Sequence, residues 1–403
     1  MKRVITSISF AIGIACSCIN SEACTSIIIT GKATPDGRPL MWKHRDTSVD
    51  YNHIVFEKGE KYNFIGLTNS NNDGDIWMGT NECGFSIMNT ASYNLKDDDV
   101  EVMDHEGKVM KRALEICKTA GDFENFLDTL SRPMRVEANF GVIDAHGGAA
   151  YYETNNTRYY KKDVNDSSLA PEGYMIYTNF SFEGRKDEGY GFVRYESAKK
   201  IFNDMKEKGF TPKNIFSDAS ASFYHSMMKI DLKNPEQSPN KLTSGWAVEQ
   251  DFIPRHESTA SIVIQGVKEG MNPELTTMWT ELGYPPAAIA VPLFVKMGEN
   301  LPKMVSYDEK YKTAPLCYYS TEVKNKAYPI HKGNGQKYIH WESFWNDNGN
   351  GSLQIIEPFR GKVYDMFQSC QNEWGNKSLD LDKIYSIYQK AEIVINDCYS
   401  KLL

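Results

Sequence analysis

The 403-residue sequence is short of positive charge: 45 Lys and Arg stand against 53 Asp and Glu, a net charge of -8. No sustained basic cluster breaks that balance, which argues against a nucleic-acid partner held through phosphate contacts. Gly-x-Ser-x-Gly is absent, so a lipase-like serine hydrolase lacks its nucleophile elbow. His-Glu-x-x-His is absent too, and the eight histidines lie far apart, which leaves a helix-borne zinc protease without its ligand pair. His146, in a Gly-flanked turn, and His256, before Glu257-Ser258-Thr259, read as surface or supporting residues. Asp97-Asp98-Asp99 has no liganding residues at loop spacing and reads as a solvated acidic loop. No cofactor or metal is expected. Internal repeats and low-complexity linkers are missing, and 41% hydrophobic with 24% charged residues is ordinary globular composition.

What is present begins at the N-terminus. Lys2 and Arg3 precede an apolar stretch from Val4 to Ile14, and Ser21-Glu22-Ala23 puts small residues at the two positions a signal peptidase reads. The stretch is too short to span a bilayer comfortably. The reading is a signal peptide over 1–23, removed after Ala23, an exported protein, and a single domain over 24–403 with a C-terminal extension from about 310. A lipoprotein signal is the rival, since Cys16, Cys18 and Cys24 follow the apolar stretch, although none has Leu three residues upstream. No Cys-x-x-Cys pair exists among Cys24, Cys83, Cys117, Cys317, Cys370 and Cys398. Their scatter suits buried single thiols better than a disulfide framework or zinc site.

Thr25–Thr30 is β-branched through its apolar part and is followed by a Thr34-Pro35-Asp36-Gly37 turn and Pro39–Asp46, which predicts two strands and a tight connection. Further strands are expected at Asn52–Glu57, Asn63–Thr68, Asp75–Met78, Gly84–Ser92, Ala138–Asp144, Ala149–Thr154, Met175–Asn179, Thr259–Gln265 and Ala287–Val295. Helical spacing marks Val109–Thr119, Asp122–Leu130, Arg194–Lys208 and a C-terminal helix carrying Ile384, Ile387, Tyr388, Ala391, Ile395 and Cys398 on one face. Trp279–Pro286, an aromatic with two prolines, reads as packing, and Lys310–Gly351 as an excursion before the last helix. Grouped strands with helices between fit layered sheets covered by helices, an α+β class.

If cleavage follows Ala23, Cys24 carries a thiol and a free α-amine on one residue. The amine titrates near about 7.7–8.0, so part of it is neutral at pH 7 and can take the thiol proton without a distant His. Lys43 and Asp46 lie on the return strand of the hairpin. A Lys there would favour the thiolate, and an Asp would accept a hydrogen bond from the amine.

Cys24-Thr25-Ser26-Ile27-Ile28-Ile29, then Asp36-Gly37, Leu40 and Lys43-His44-Arg45-Asp46, resembles the opening of the N-terminal-nucleophile (Ntn) hydrolases that cut linear amides. That group includes penicillin V acylase, choloylglycine hydrolase, the secreted dipeptidases and isopenicillin N acyltransferase. Their Arg-Asn-x-Asp segment is matched with Lys43 at Arg, His44 at Asn and Asp46 at Asp. Asn81-Glu82-Cys83-Gly84-Phe85 with Asn89, Asn139–Ala145 with Gly147–Glu153, Tyr177-Thr178-Asn179-Phe180, and Arg194 in Tyr190–Tyr195 are similar to later motifs of the group. The matches run over roughly residues 24 to 295. The resemblance implies a four-layer αββα sandwich of two stacked antiparallel sheets, Cys24 as nucleophile, Asp46, Lys43 and Arg194 beside it, and Asn179 and Asn89 at the oxyanion and the amine. Lys43 for Arg keeps the charge but loses the planar fork, and His44 is the residue placed to compensate. The implied activity is hydrolysis of a small-molecule acyl amide; transfer to an amine acceptor, or a non-enzymatic surface lipoprotein, are the alternatives.

Overall fold

A computed structural model describes residues 23–71, 74–242 and 245–403; the expected signal segment through residue 22, with Cys16 and Cys18, lies outside the described residues. The hairpin read from sequence is formed by β1 (Ala23–Ile29) and β2 (Leu40–Asp46). Its turn uses Gly37 at φ +76° and is tied by the Arg38 N–H donating to Asp36 Oδ1 at 3.1 Å, a conformation that favours glycine. The ladder pairs Cys24 with Arg45, Ser26 with Lys43 and Ala23 with Asp46.

The chain then builds β3 (Asn52–Glu57), β4 (Phe64–Asn69), β5 (Met78–Asn81), β6 (Ser86–Ala91), β7 (Ala138–Ile143), β8 (Ala149–Thr154) and β9 (Tyr159–Asp163), a seven-stranded antiparallel meander in sequence order. Between β6 and β7 run α1 (Glu106–Ile116) and α2 (Ala120–Thr129). The second starts at Thr119, whose Oγ1 accepts from Asp122 N while Asp122 Oδ2 accepts from Thr119 N, a reciprocal cap. The apolar stripe of α2 delivers Phe123 against Phe85, Phe140 and Tyr152 of this sheet.

After β10 (Tyr174–Tyr177) and α3 (Phe192–Met205), the chain returns through β11 (Ser258–Gln265), β12 (Thr277–Leu282) and β13 (Val291–Leu293). These complete a six-stranded antiparallel sheet ordered β10-β1-β2-β11-β12-β13. The two sheets stack through β1 and β2 against β6 and β7. Helices α1 and α3 lie on opposite outer faces, α1 on β5 and β6 and α3 on β1 and β10, which gives the αββα layering expected. Every residue of β1 and β2 is buried, because both faces of their sheet are covered.

The C-terminal helices α4 (Pro315–Ala327), α5 (Ser352–Trp374) and α6 (Leu381–Ser400) also cover the six-stranded sheet. Trp279 of β12 stacks on Tyr364 of α5 with centroids 4.7 Å apart, and Phe367 of α5 packs on Tyr388 of α6. One apolar core runs from Ile27 to Tyr399. No helix among the described residues is long and apolar enough to cross a membrane.

Candidate active site

Strand alternation sorts the motif residues onto two faces. Cys24, Arg45, Ala260 and Leu282 stand side by side across β1, β2, β11 and β12. Ser26, two residues beyond Cys24 on the same face, reaches the second sheet, with Oγ 3.0 Å from Tyr151 Oη. The thiol therefore faces the space between the sheets and is only 3% exposed. Arg45 is its directly opposed cross-strand neighbour, a geometry that brings Cβ atoms to about 4.5–5.5 Å. Its guanidinium lies 4.9 Å over the Trp77 ring. Lys43 follows on the same face and donates from Nζ to Asn89 Oδ1 at 2.6 Å and to the Trp77 carbonyl at 2.8 Å. Lys43 and Arg45 thus put two cations on the face of the hairpin that carries the thiol. Elsewhere burial pushes Cys117 and Cys398 up to about 12, and raises Cys83 and Cys317, the behaviour of inert thiols.

The nitrogen of Cys24 donates to Asn179 Oδ1 at 3.0 Å. Arg194 Nη2 donates to the same oxygen at 2.7 Å, and its Nη1 donates to the Cys24 carbonyl at 2.7 Å and Thr25 Oγ1 at 3.0 Å. Both neighbours of Oδ1 are obligate donors, which fixes the amide orientation; Asn179 Nδ2 then donates to the Ala91 carbonyl at 2.9 Å. The Lys43 contact likewise makes the atom facing it Asn89 Oδ1 and leaves Nδ2 as that residue's donor end. Burial, then Arg255, lower the Arg194 pKa to about 10, against the attraction of Asp46.

The segment after Asn179 is pinned by the second sheet. Asn139 Nδ2 donates to the Phe180 carbonyl, Asn94 Oδ1 accepts from Ser181 N at 2.8 Å, and Glu153 accepts from Tyr177 Oη, Phe182 N and Glu183 N. Asn139 and Glu153 thus hold the segment that carries Asn179. Asn81 and Asp144 have another job: Asn81 Oδ1 accepts from Cys83 N and Phe85 N, and Asp144 Oδ1 from His146 N and Gly148 N, so both close turns.

His44 and Asp46 point to the other face. Asp46 accepts from Ser258 Oγ and Arg255 Nη2, each at 2.6 Å, so the hydrogen bond expected from the Cys24 nitrogen goes to Asn179 instead. His44 does not compensate for Lys43. Its Nε2 is 2.9 Å from Ser258 Oγ, its ring packs on Trp42 under α3, and burial lowers its pKa to about 4 despite Asp46. Side-chain direction, fixed by position parity, accounts for both differences. For Arg255, burial opposes the charge but Asp46 and Glu249 outweigh it and raise the pKa; burial raises Glu249 to about 7.

Among solved structures the chain is similar to an N-acylethanolamine-hydrolyzing acid amidase ortholog from Caenorhabditis elegans (TM-score 0.39, 12% identity, 60% of this chain and 92% of that one). It is similar to penicillin V acylase from Agrobacterium tumefaciens (0.36, 11%, 69% and 89%) and to a variant of conjugated bile acid hydrolase from Clostridium perfringens (0.37, 12%, 68% and 93%). These neighbours are Ntn hydrolases. No family model and no curated protein matches the chain. At these identities and scores the likeness assigns no residue role; roles rest on the geometry above.

Arg45 and Arg255 were outside the sequence-derived set. Arg45 was legible as the residue opposite Cys24 once the hairpin register is counted. Arg255 sits in an irregular segment before β11, where no periodicity signals its contact with Asp46.

Proposed function

We propose that this chain is an exported hydrolase of linear amides, with Cys24 Sγ as its nucleophile once the Ala23–Cys24 bond is cut. The observation that carries the reading is the 3.0 Å hydrogen bond from the Cys24 nitrogen to Asn179 Oδ1. After cleavage that nitrogen is an α-amine already held by a buried acceptor, next to its own thiol. Arg194 secures both the acceptor and the Cys24 carbonyl, so the amine has one orientation.

The steps balance as acyl transfer. The neutral amine takes the thiol proton, Sγ adds to the amide carbonyl, and the oxyanion is met by the Asn89 Nδ2 donor. The C–N bond then breaks, the amine nitrogen of Cys24 returns the proton to the leaving amine, and a thioester remains. Water attacks the thioester and releases the acid.

The test is turnover by the exported protein against an N-acylethanolamine, a conjugated bile acid, penicillin V, N-acyl amino acids and dipeptides. Intact mass should give a chain beginning at Cys24, and Cys24→Ala should lower turnover at least about 10⁴-fold with the melting temperature kept. Retained turnover in Cys24→Ala, or a diacylglycerol adduct on Cys24, would refute the proposal.

A further inference from the structure

The outer face of the six-stranded sheet carries a second buried polar place. Register puts Thr25, His44, Ser261 and Glu281 side by side on the face away from the thiol. There, between β12 and α5, lies a cavity of about 220 Å³ whose walls include Glu281, Lys233, Arg360, Phe216, Ala290 and Leu353. This is smaller than the ~300–1,000 Å³ usual for drug-sized ligands and suits a molecule of amino-acid size.

Glu281 is 0% exposed, and neither of its oxygens accepts a hydrogen bond. Arg360 Nη2 approaches Oε1 only to 3.6 Å, and its guanidinium already donates to the carbonyls of Ala288 and Pro285. Burial pushes the Glu281 carboxyl up to about 8, Arg360 opposing. Lys233 presents Nζ 5.3 Å from the Trp345 ring centroid, and burial lowers its pKa against the pull of Glu357. The other lysine on the wall, Lys213, is paired with Asp365 at 2.9 Å. Two carboxyl groups, Glu281 and Glu357, thus face Lys233 and Arg360 around the cavity, so it suits a ligand bearing both an ammonium and a carboxylate. A buried acceptor without a donor is costly, and a ligand ammonium supplies the donor.

We propose that this cavity binds an apolar α-amino acid, its ammonium on Glu281, its carboxylate toward Lys233 and its side chain against Phe216, Ala290 and Leu353. The site is separate from the thiol.

Titration calorimetry on the full chain with leucine, methionine and phenylalanine tests it, with isoamylamine and 4-methylpentanoate as leucine lacking one charge each. The expected result is one saturable site with Kd below about 1 mM for at least one amino acid, unchanged in Cys24→Ala. Each single-charge analogue should bind at least about tenfold more weakly, as should Glu281→Gln. Ala290→Phe, which fills the cavity, should abolish binding. Failure of all three amino acids on the unmodified chain overturns the proposal whether or not a variant folds. Equal binding by isoamylamine, loss of binding in Cys24→Ala, or undiminished binding in both Glu281→Gln and Ala290→Phe also overturns it.

Discussion

On one face of β2, Lys43 and Arg45 lie with the thiol between the sheets; on the other, His44 and Asp46 lie with Ser258 and Arg255 beneath the helical layer. The inner pair is cationic and shares its face of the hairpin with the Cys24 thiol. The outer group is a polar network, with a carboxylate shared by a hydroxyl and a guanidinium. Four consecutive residues that read as one charged cluster are therefore two devices back to back. On the proposed reading the inner one acts on chemistry and the outer one on folding, and variants on the two faces should separate in what they change.

Asp46→Ala should have the largest effect, removing the carboxylate that pairs with Arg255 at 2.6 Å and leaving only Glu249 and Glu257 to attract that guanidinium. Breaking such a pair costs about 3–5 kcal/mol, seen as a fall in denaturation midpoint; a stability loss under about 1 kcal/mol would show that the outer face is not a structural lock. His44→Gln sharpens the same point through pH. The His44 pKa is lowered to about 4 from 6.5, so below pH 6.5 the unfolded chain takes up a proton that the folded chain refuses until about pH 4. Stability from keeping His44 neutral is full above pH 6.5 and falls by up to about 3 kcal/mol on acidification. The variant should lose part of that acid slope in melts between pH 7 and 4, and an identical slope would count against a buried neutral imidazole.

Inner-face variants should move rates more than melts. Arg45→Met should lower kcat/KM at neutral pH by about ten- to a hundredfold and shift the rising limb of the pH–rate profile upward, since a neighbouring cation is worth about one to two pKa units to a thiolate. An unmoved profile would reduce Arg45 to packing on Trp77. The smallest effect is expected for Arg194→Lys, which keeps charge but cannot bond Asn179 and the Cys24 carbonyl together. A loss of about tenfold in kcat at constant KM is expected, and a pure KM change would contradict its positioning role.

Strands with strong periodicity or β-branched runs were readable from sequence: Asn52–Glu57 and Ala149–Thr154 coincide with β3 and β8, and β7 differs by one residue. Helices α1, α2 and α3 each begin two or three residues earlier than expected, because their caps at His105, Thr119 and Gly191 precede the first apolar repeat. Helix α5 escaped because Pro358 sits inside it and its polarity is mixed. Helix α4 lay within a segment rich in Lys and Asn that reads as an excursion. At the candidate site, the residues brought together by the hairpin register and by the return to Asn179 and Arg194 were legible. Their directions were not: parity separates Asp46 from Lys43, and only the assembled sheet shows which face holds the thiol. Trp279–Pro286 is packing at Trp279, yet Glu281 and Pro286 of the same stretch line the outer cavity.

Ala23 is 3% exposed and is laddered opposite Asp46. A peptidase must thread its substrate through an active cleft, and a residue already laddered to a neighbouring strand cannot be threaded. On the proposed reading the scissile bond is open only while the chain is still unfolded, so order of events decides fate: cut and then fold, and the thiol gains its amine; fold first, and the precursor is sealed against its own maturation.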